Sequence, residues 1–391
     1  MKTTLITIGN IILALLMLFL YTILWYYVGK KGIKIFFYKR GDIKTKAYWI
    51  VFWFLAFSFI LAALVRSTMS INNKLTGILT TIGAVSMAAF CYLIILFPLT
   101  DLMRFIFNKL GFYGSVRNHL SIAYGRGISI FIAVVIIFCF GLWHATHQSV
   151  TSYKLNIDKK MGNIKELNIV MIADVHMGIM IKEKGIDKLI TSINRLKPDI
   201  VFFCGDMVDE STPTSLKMYF GKEFKNIKSK YGVYSITGNH EYAGDVSETI
   251  EYMKKANVKV LEDEVVKVNN EFYVVGRNDA ADGKKVKLLS ELLKKADKSL
   301  PIIELNHRPV AIEEAEKNGV DLQLSGHTHE GQIFPFNLVT KAVFEDDYGY
   351  LKKGEFNLIV TSGYGTWGPP IRIGTKGEIV NIKLKIGKEI K

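Results

Sequence analysis

Four long uncharged segments in the first 150 residues restrict the fold of this chain more than any other feature. A helix needs about 20 apolar residues to cross the hydrocarbon core of a bilayer. Tyr and Trp residues lie near the ends of these segments, as is typical of membrane interfaces. Residues 1–150 are therefore predicted to be a transmembrane region with four helices, over residues 3–29, 47–65, 75–100 and 127–147.

The positive charge of the chain lies almost entirely in this region. Residues 1–150 contain 14 of the 50 Lys and Arg residues but only two acids, Asp42 and Asp101, whereas residues 151–391 contain 36 basic and 34 acidic residues. A nucleic-acid-binding protein would have basic residues concentrated on its soluble domain. The charge distribution therefore argues against nucleic acid as a partner.

The basic residues between the segments predict the orientation. The first and third loops carry 11 Lys and Arg residues, whereas the opposite side carries Lys2, Arg66 and Lys74. Loops rich in Lys and Arg stay in the cytoplasm. With four spans, the domain over residues 151–391 is expected to lie outside the cytoplasm, on a multi-pass protein of the cell membrane.

Residues 151–391 alternate between apolar runs and helical patterns, after an expected linker at 144–166. Leu167–Ala173 and Ile200–Cys204 read as strands, and Lys184–Leu196 between them has helical spacing. Ligand sites in α/β sheets form at the carboxyl ends of such strands. The further predicted elements are strands at Gly232–Thr237, Lys259–Val266, Glu271–Gly276, Pro301–Leu305 and Leu322–Leu324, helices at Val246–Ala256 and Val310–Lys317, and late antiparallel strands at Phe356–Thr361 and Ile379–Ile386.

Five of the eight histidines follow these apolar runs, each beside Asp, Asn or another His. Together with three nearby Asp and Asn residues they offer nitrogen and oxygen donors, and the absence of a CxxC pair argues against a thiolate site. Two adjacent divalent metals held by such donors are a device for attacking phosphate esters. The residues are Asp174, His176, Asp206, Asn239, His240, His307, His327 and His329.

The order of these motifs resembles the calcineurin-like metallophosphoesterases, in particular a membrane-associated bacterial subgroup. The matching motifs cover about residues 165–385 and end in Gly331-Gln332-Ile333 and Gly365-Thr-Trp367-Gly-Pro369-Pro370-Ile-Arg372. Glu330 departs from the pattern, which has Gly there. The motifs are Asp174-Val-His176, Gly205-Asp206-Met-Val-Asp209, Gly238-Asn239-His240-Glu241, His307 and Gly326-His327-Thr-His329.

The resemblance implies an α/β fold of the four-layer αββα type and two divalent metal ions, with Mn, Fe and Zn all suited to the donors. It also implies a role for each residue. Asp174, His176 and His329 would bind the first metal, and Asn239, His307 and His327 the second. Asp206 would bridge both, and His240 would act on the leaving group without binding metal.

Five further residues are candidates for contact with the substrate, each with a structural alternative. Tyr242 and Arg277 would line the pocket or lie at the surface. Glu330 would approach the metals or face water, and Trp367 would form a wall of the site or brace a sheet. Arg372 would meet a phosphate or form a structural ion pair.

The sequence thus predicts a membrane-anchored enzyme in which water activated by metals hydrolyses a phosphodiester or pyrophosphate. The substrate is expected to be a phosphate ester, with a lipid-linked one favoured by the membrane region.

UDP-diacylglucosamine pyrophosphate cleavage, assigned to members of the resembling subgroup, is one alternative. A catalytically idle membrane sensor or scaffold that binds a phosphorylated ligand is another. A transporter is disfavoured because the spans contain almost no ionisable residues. The oligomeric state is left open.

Overall fold

The chain divides into two compact units, Met1–Cys139 and Phe140–Lys391. The basic residues Lys39, Arg40 and Arg117, which contributed to the predicted orientation, lie outside the described part of the chain. The computed structural model describes residues 2–36, 43–69, 74–111, 119–159, 164–178, 180–209, 212–283 and 285–387.

Four helices form the described part of the first unit, and the last seven residues of the fourth belong to the second unit. Each contains a stretch that is long and apolar enough to cross a membrane, by length and composition. The helices exceed the uncharged segments because flanking polar and basic residues also take helical backbone. They are α1 Lys2–Phe36, α2 Ile43–Met69, α3 Lys74–Lys109 and α4 His119–Thr146.

Aromatic side chains pack the interior of the first unit. Trp25 of α1 stacks on Phe90 of α3 with ring centroids 4.2 Å apart. Gly83 lets α3 approach α2 closely, because a Cβ at this position would lie 2.5 Å from the Phe59 backbone. Small residues of this kind favour close helix packing in membranes. Leu13 and Leu16, by contrast, are exposed on the outside of α1, as expected for residues that face lipid.

The second unit contains two six-stranded mixed sheets. In the first sheet the strand order is β1-β12-β2-β3-β4-β5, and in the second it is β10-β11-β9-β8-β7-β6. The strands are β1 Ser149–Ile157, β2 Glu166–Ile172, β3 Ile200–Cys204, β4 Val233–Ile236, β5 Val258–Val260, β6 Glu264–Val268, β7 Phe272–Gly276, β8 Ile302–Leu305, β9 Leu322–Ser325, β10 Gly349–Lys353, β11 Phe356–Val360 and β12 Glu378–Ile386.

The two sheets pack face to face and helices cover their outer faces. Alternate residues of β2 point in opposite directions, so that Met171 packs with Ile303 of the other sheet whereas Val170 packs with Ile186 of a covering helix. This is the four-layer αββα sandwich that the sequence predicts. The helices of this unit are α5 Glu183–Arg195, α6 Thr214–Glu223, α7 Asn239–Ala243, α8 Val246–Lys255, α9 Leu289–Leu292, α10 Ile312–Asn318 and α11 Asn337–Val343.

The registers of the parallel strands align the polar motifs at one edge of each sheet. Ile172 pairs with Phe203 and Cys204 pairs with Ile236, so β2, β3 and β4 end side by side. In the second sheet Leu305 of β8 pairs with Leu324 of β9. The segments that directly follow these five strands carry all the predicted metal ligands.

Two predicted elements differ from the structure. The expected linker at 144–166 contains β1, which pairs in parallel with β12 over its whole length. Its polar residues alternate with more buried ones because it is an edge strand. The predicted strand Lys259–Val266 is divided into β5 and β6 by a turn in which Asp263 has a left-handed backbone with φ of 52°.

Candidate metal centre

The carboxyl ends of β2 and β3 are joined by backbone hydrogen bonds that set the first side of the site. The Asp174 amide donates to the Gly205 carbonyl (3.0 Å), and the His176 amide donates to the Asp206 carbonyl (3.1 Å). The end of β4 approaches the same point, since a Cβ on Gly238 would lie 2.3 Å from Asp206 Oδ1. Glycine is therefore required there for the two strand ends to meet.

The second sheet completes the site from the opposite side. The His327 amide donates to both oxygens of Asp174, at 3.1 and 3.0 Å. Gly326 permits this contact, because a Cβ there would lie 2.3 Å from Asp174 Oδ2. The two sheets thus present their predicted ligands to one another across a short gap.

Asp174, His176 and His329 form a first group of potential ligands, whose donor atoms all lie within 4.8 Å of one another. The Nε2 atoms of His176 and His329 are 3.0 Å apart, and His329 Nε2 is 3.4 Å from Asp174 Oδ1. Three buried donors at this separation face a common position. The structure therefore brings together the residues predicted for the first metal.

Asp206, His307 and His327 form a second group within the same 4.8 Å limit. His307 Nε2 lies 3.1 Å from Asp206 Oδ2, and His307 Nδ1 contacts the Cys204 carbonyl at 2.8 Å. The buried Oδ1 atom of Asn239 has no hydrogen-bond partner among the described residues. An unpaired buried amide oxygen is costly unless it meets a ligand, so Asn239 is consistent with its predicted role.

Left-handed backbone conformations are concentrated in this site. Non-glycine residues with positive φ cost energy and persist where the surrounding structure imposes them, often at functional sites. The carboxylates and rings here are aimed by such conformations rather than by regular strand geometry. The site residues concerned are Asp174 (φ 53°), His176 (48°), Asp206 (52°), His327 (72°), His329 (50°) and Glu330 (52°).

His240 lies beside the two groups and shares a carboxylate with His176. Asp209 Oδ1 is 2.6 Å from His176 Nδ1 and 3.5 Å from His240 Nδ1. The His240 ring meets the His176 ring edge-on at 4.8 Å. Asp209 therefore orients one predicted metal ligand, His176, and the residue predicted to act on the leaving group, His240.

Glu241 is a structural member of the site whose role the sequence did not reveal. Its buried carboxylate accepts hydrogen bonds from four backbone amides: Oε1 from Met207 (2.6 Å) and Val208 (3.1 Å), Oε2 from Asp206 (3.0 Å) and Gly238 (2.7 Å). It thereby ties the end of β3 to the start of α7. One sequence signal could have indicated its role: Glu241 is the third residue of a short helix that begins after Gly238, a position at which Glu often accepts a backbone amide at the helix N-terminus.

Comparison with known proteins decides the family. The calcineurin-like phosphoesterase family model matches residues 167–331, a range that contains every predicted metal ligand. An uncharacterized metallophosphoesterase of Campylobacter jejuni is 32% identical over 261 residues, which cover 65% of this chain and 69% of that protein. The chain belongs to the calcineurin-like phosphoesterase family.

Two other relatives extend this comparison. An uncharacterized metallophosphoesterase of Aquifex aeolicus is 31% identical over 66% of this chain and 98% of its own length. A transmembrane protein with metallophosphoesterase domain from Danio rerio is 26% identical over 65% of this chain and 61% of its own length. Membrane-associated relatives and the four apolar helices together indicate membrane association for this metallophosphoesterase.

Neighbouring acids control the protonation of two predicted ligands in the metallophosphoesterase site. Burial alone would lower the pKa of His176, but Asp209 and the other carboxylates raise it to about 9. Burial would also lower the pKa of His307, but the neighbouring carboxylates, with Asp206 foremost, raise it to about 10. At His327, burial and the neighbouring His307 lower the pKa to about 3. Without metal, protonation is therefore favoured at His176 and His307 and disfavoured at His327.

Metal binding should therefore release protons. At pH 7 the metal-free protein carries protons on His176 and His307, since their pKa values are about 9 and 10. Because a metal ligand must be neutral imidazole, loading should release about two protons and the affinity should rise with pH between 6 and 9. Calorimetric Mn titration in buffers of different ionisation enthalpy measures this number. An affinity independent of pH over that range would contradict the prediction.

The five predicted substrate residues occupy different positions. Trp367 is exposed and its ring meets that of His240 edge-on at 6.1 Å, and Glu330 is half-buried beside His329. Burial and Asp347 raise the pKa of Glu330 to about 7. Tyr242 accepts a hydrogen bond from Thr237 at 3.1 Å. Glu330 therefore adjoins the predicted ligand His329, whereas Trp367 borders His240, the residue predicted to act on the leaving group.

The two arginines are held by the fold. Arg277 pairs with Glu304 (3.4 Å) and Glu314 (3.3 Å) in the second sheet and its helix layer, so these acids occupy its guanidinium. Arg372 is fully buried, bonds the carbonyls of Ser362 and Gly365, and lies 3.2 Å from His329 Nδ1. Arg372 thus supports a predicted metal ligand.

Proposed function

We propose that this protein is a membrane-anchored phosphoesterase that uses two divalent metal ions to hydrolyse a phosphodiester or pyrophosphate bond. The observation that carries the proposal is the pair of ligand groups, one around Asp174 and one around Asp206, at the facing edges of two sheets. Groups so placed suit two neighbouring metals, which is the arrangement used to attack phosphate esters.

The donor set supports metal binding on two grounds. It consists of carboxylate, imidazole and amide donors, which suit Mn, Fe or Zn. The buried Asn239 Oδ1, unpaired among the described residues, lies next to His240 and after the end of β4. When bound, two such metals would supply Lewis acidity toward phosphate oxygens and a water activated near neutral pH.

Asp206 is proposed to serve both metals. Its Oδ2 faces His307 of the second group, and its Oδ1 accepts the His240 amide at 2.9 Å. Its pKa lies well below the usual range, because the neighbouring histidines, His307 first, outweigh the effect of burial. Asp206 therefore stays an anion at every working pH and can be shared by two cations.

His240 is proposed to act on the leaving group. Its ring is partly exposed beside the ligand groups, so it can reach a substrate oxygen. The nearby Asp209 carboxylate, 3.5 Å from Nδ1, orients the ring, which is then placed to donate a proton to the departing alkoxide or phosphate. Such assistance matters most where the leaving group is a strongly basic alkoxide.

A panel of substrates tests this proposal. The full-length protein, purified in detergent and loaded with Mn, is expected to hydrolyse bis-p-nitrophenyl phosphate faster than p-nitrophenyl phosphate. UDP-diacylglucosamine, a phospholipid and a nucleotide extend the panel to pyrophosphate, lipid-linked and soluble esters. The matched control is the same protein after chelation, which should be inactive and should recover with added Mn.

The opposite outcome is equally clear. Protein that binds two metals but hydrolyses no member of the panel would favour the sensor or scaffold interpretation. Faster cleavage of monoesters would overturn the proposed preference for diesters and pyrophosphates.

We also propose that the metallophosphoesterase domain lies outside the cytoplasm, with the membrane and a phosphate-ester substrate as its partners and without nucleic acid. The support is the excess of basic residues in the first and third loops, including Lys30 and Lys34 near the end of α1. An outward domain disfavours UDP-diacylglucosamine as the natural substrate, because nucleotide-linked precursors are cytoplasmic.

External protease measures this orientation. On intact cells it should digest residues 151–391 while a cytoplasmic marker protein stays whole. Protection of the domain until the membrane is permeabilised would reverse the assignment.

A further inference from the structure

An unusual apolar surface directly follows the His327–His329 ligand pair. It is formed by Phe334, Phe336, Leu338, Val339 and Val343, and is called here the α11 surface. Leu338, Val339 and Val343 are 59, 55 and 69% exposed, and none of the residues of α11 is buried. Helices of water-soluble domains normally bury an apolar stripe, and exposed apolar patches mark interaction sites.

The α11 surface borders the metal centre. The Phe344 ring, one residue after α11, meets the His327 ring edge-on at 6.1 Å. At the other end, Gln332 bonds the Trp367 carbonyl at 2.9 Å and receives the Trp367 amide at 2.8 Å. The exposed Trp367 thereby links the surface to His240. Whatever contacts this surface is brought close to the predicted ligands.

The α11 surface is also continuous with the end of α4, within the second unit. The Phe334 amide donates to the Ile373 carbonyl at 2.8 Å, and the Arg372 amide donates to the Gly141 carbonyl at 3.0 Å. A Cβ on Gly141 would lie 3.0 Å from Ile371 and 3.1 Å from Ile373. Residues 371–373, to which Phe334 is hydrogen-bonded, therefore lie against α4 inside its candidate membrane span, Gly127–Thr146.

The charges around the α11 surface suit a lipid headgroup layer. Residues 334–343 contain one ionisable residue, the exposed Lys341, and no acid. Three acids follow α11: Glu345 pairs with Lys353, Asp347 accepts a hydrogen bond from Thr340 at 2.6 Å, and burial and the neighbouring acids raise the pKa of the half-buried Asp346 to about 6. Binding at a membrane interface scales with the apolar area buried and with the attraction of basic residues to anionic lipids, and the α11 surface offers apolar area together with Lys341.

We propose that the α11 surface lies in the bilayer interface and presents lipid-borne phosphate esters to the metal centre. The choice of lipid rather than protein as the occupant rests on the continuity with α4. The docking itself stands on this geometry, whereas the substrate class, a phosphate ester carried by a lipid, rests on the proposed function.

Quenching by brominated lipid tests the docking without any activity assay. Full-length Leu338→Trp is reconstituted in vesicles of phosphatidylcholine and phosphatidylglycerol, with or without bromine on the acyl chains, and the fluorescence of the unaltered protein is subtracted. The added indole should be quenched. The matched control is Met218→Trp, since Met218 is 58% exposed on α6 in the helix layer of the first sheet, and it should not be quenched.

Two outcomes would overturn the docking. Equal quenching at positions 338 and 218, or no quenching at either position, would show that the α11 surface does not lie in the bilayer interface. Emission from position 338 that is shifted to the blue but unquenched would mean that protein, a second copy or another partner, covers it.

Hydrolysis rates test the substrate class separately. The double variant Leu338→Ser/Val339→Ser should cleave bis-p-nitrophenyl phosphate at the unaltered rate but a phosphodiester lipid in vesicles about tenfold more slowly, because each lost apolar group weakens interfacial binding. Equal losses on both substrates would contradict the lipid-borne class. If neither substrate is cleaved by the unaltered protein, the proposed function fails while the quenching result still decides the docking.

Discussion

Asp206→Asn is expected to abolish hydrolysis and to weaken metal binding at both ligand groups. The amide keeps the volume of the carboxylate but removes its charge and one acceptor oxygen. The substituted side chain must still accept the His240 amide and face His307 Nε2, which lie 2.9 and 3.1 Å from the carboxylate oxygens. We expect kcat to fall by at least about 10³-fold, which is roughly 4 kcal/mol of transition-state stabilisation.

The measurements are kcat with bis-p-nitrophenyl phosphate and bound metal per chain by elemental analysis. Asp187→Asn is the matched control, because Asp187 is an exposed acid on α5 that bonds Tyr219 at 2.9 Å, and it should leave both values unchanged. An Asp206→Asn protein that keeps two metals and its activity would contradict the proposed bridging role.

Glu241→Ala should strongly destabilise the domain. It leaves the amides of Asp206, Met207, Val208 and Gly238 without their acceptor, and each buried unsatisfied group costs about 1–3 kcal/mol. We expect a loss of about 4 kcal/mol or more in the free energy of unfolding. For a domain of this size that lowers Tm by roughly 10 °C.

Two matched variants separate this effect from a loss of charge alone. Glu241→Gln keeps one acceptor oxygen for two of the four amides, so its loss of stability should be intermediate. Glu251→Ala removes an exposed acid of α8 that pairs with Lys255, and a surface pair of this kind contributes little to stability. Thermal unfolding of the metal-free proteins, followed by circular dichroism, gives the order. Equal stability of Glu241→Ala and Glu251→Ala would refute the role assigned to Glu241.

The sequence predicts the placement of the ligands well because each follows a buried strand. Asp174 and Asp206 come two residues after the ends of the parallel strands β2 and β3, and such strands end at a common edge. The αββα architecture follows from the same alternation of strands and helices together with the family resemblance. The individual roles of these residues stay predictions until metals and substrates are tested.

The features that the sequence does not reveal depend on distant parts of the chain. β1 is polar on one face and becomes a strand because β12, more than 220 residues later, pairs with it. Glu241 looks like a helix cap until the amides of β3 are brought to its carboxylate. The exposure of the apolar residues of α11 is equally invisible, since it depends on which parts of the chain pack around the helix and not on its own seven residues.

The short connection between α4 and β1 limits how far the metal centre can travel. Only His147 and Gln148 separate the last residue of α4 from the first residue of β1, and two extended residues span about 7 Å. β1 belongs to the sheet that carries Asp174 and Asp206, so the two-residue connection keeps this sheet close to the end of α4. Where α4 crosses a bilayer, the candidate metal centre would stay within a thin layer next to that membrane, and encounters with the proposed substrate would take place in two dimensions.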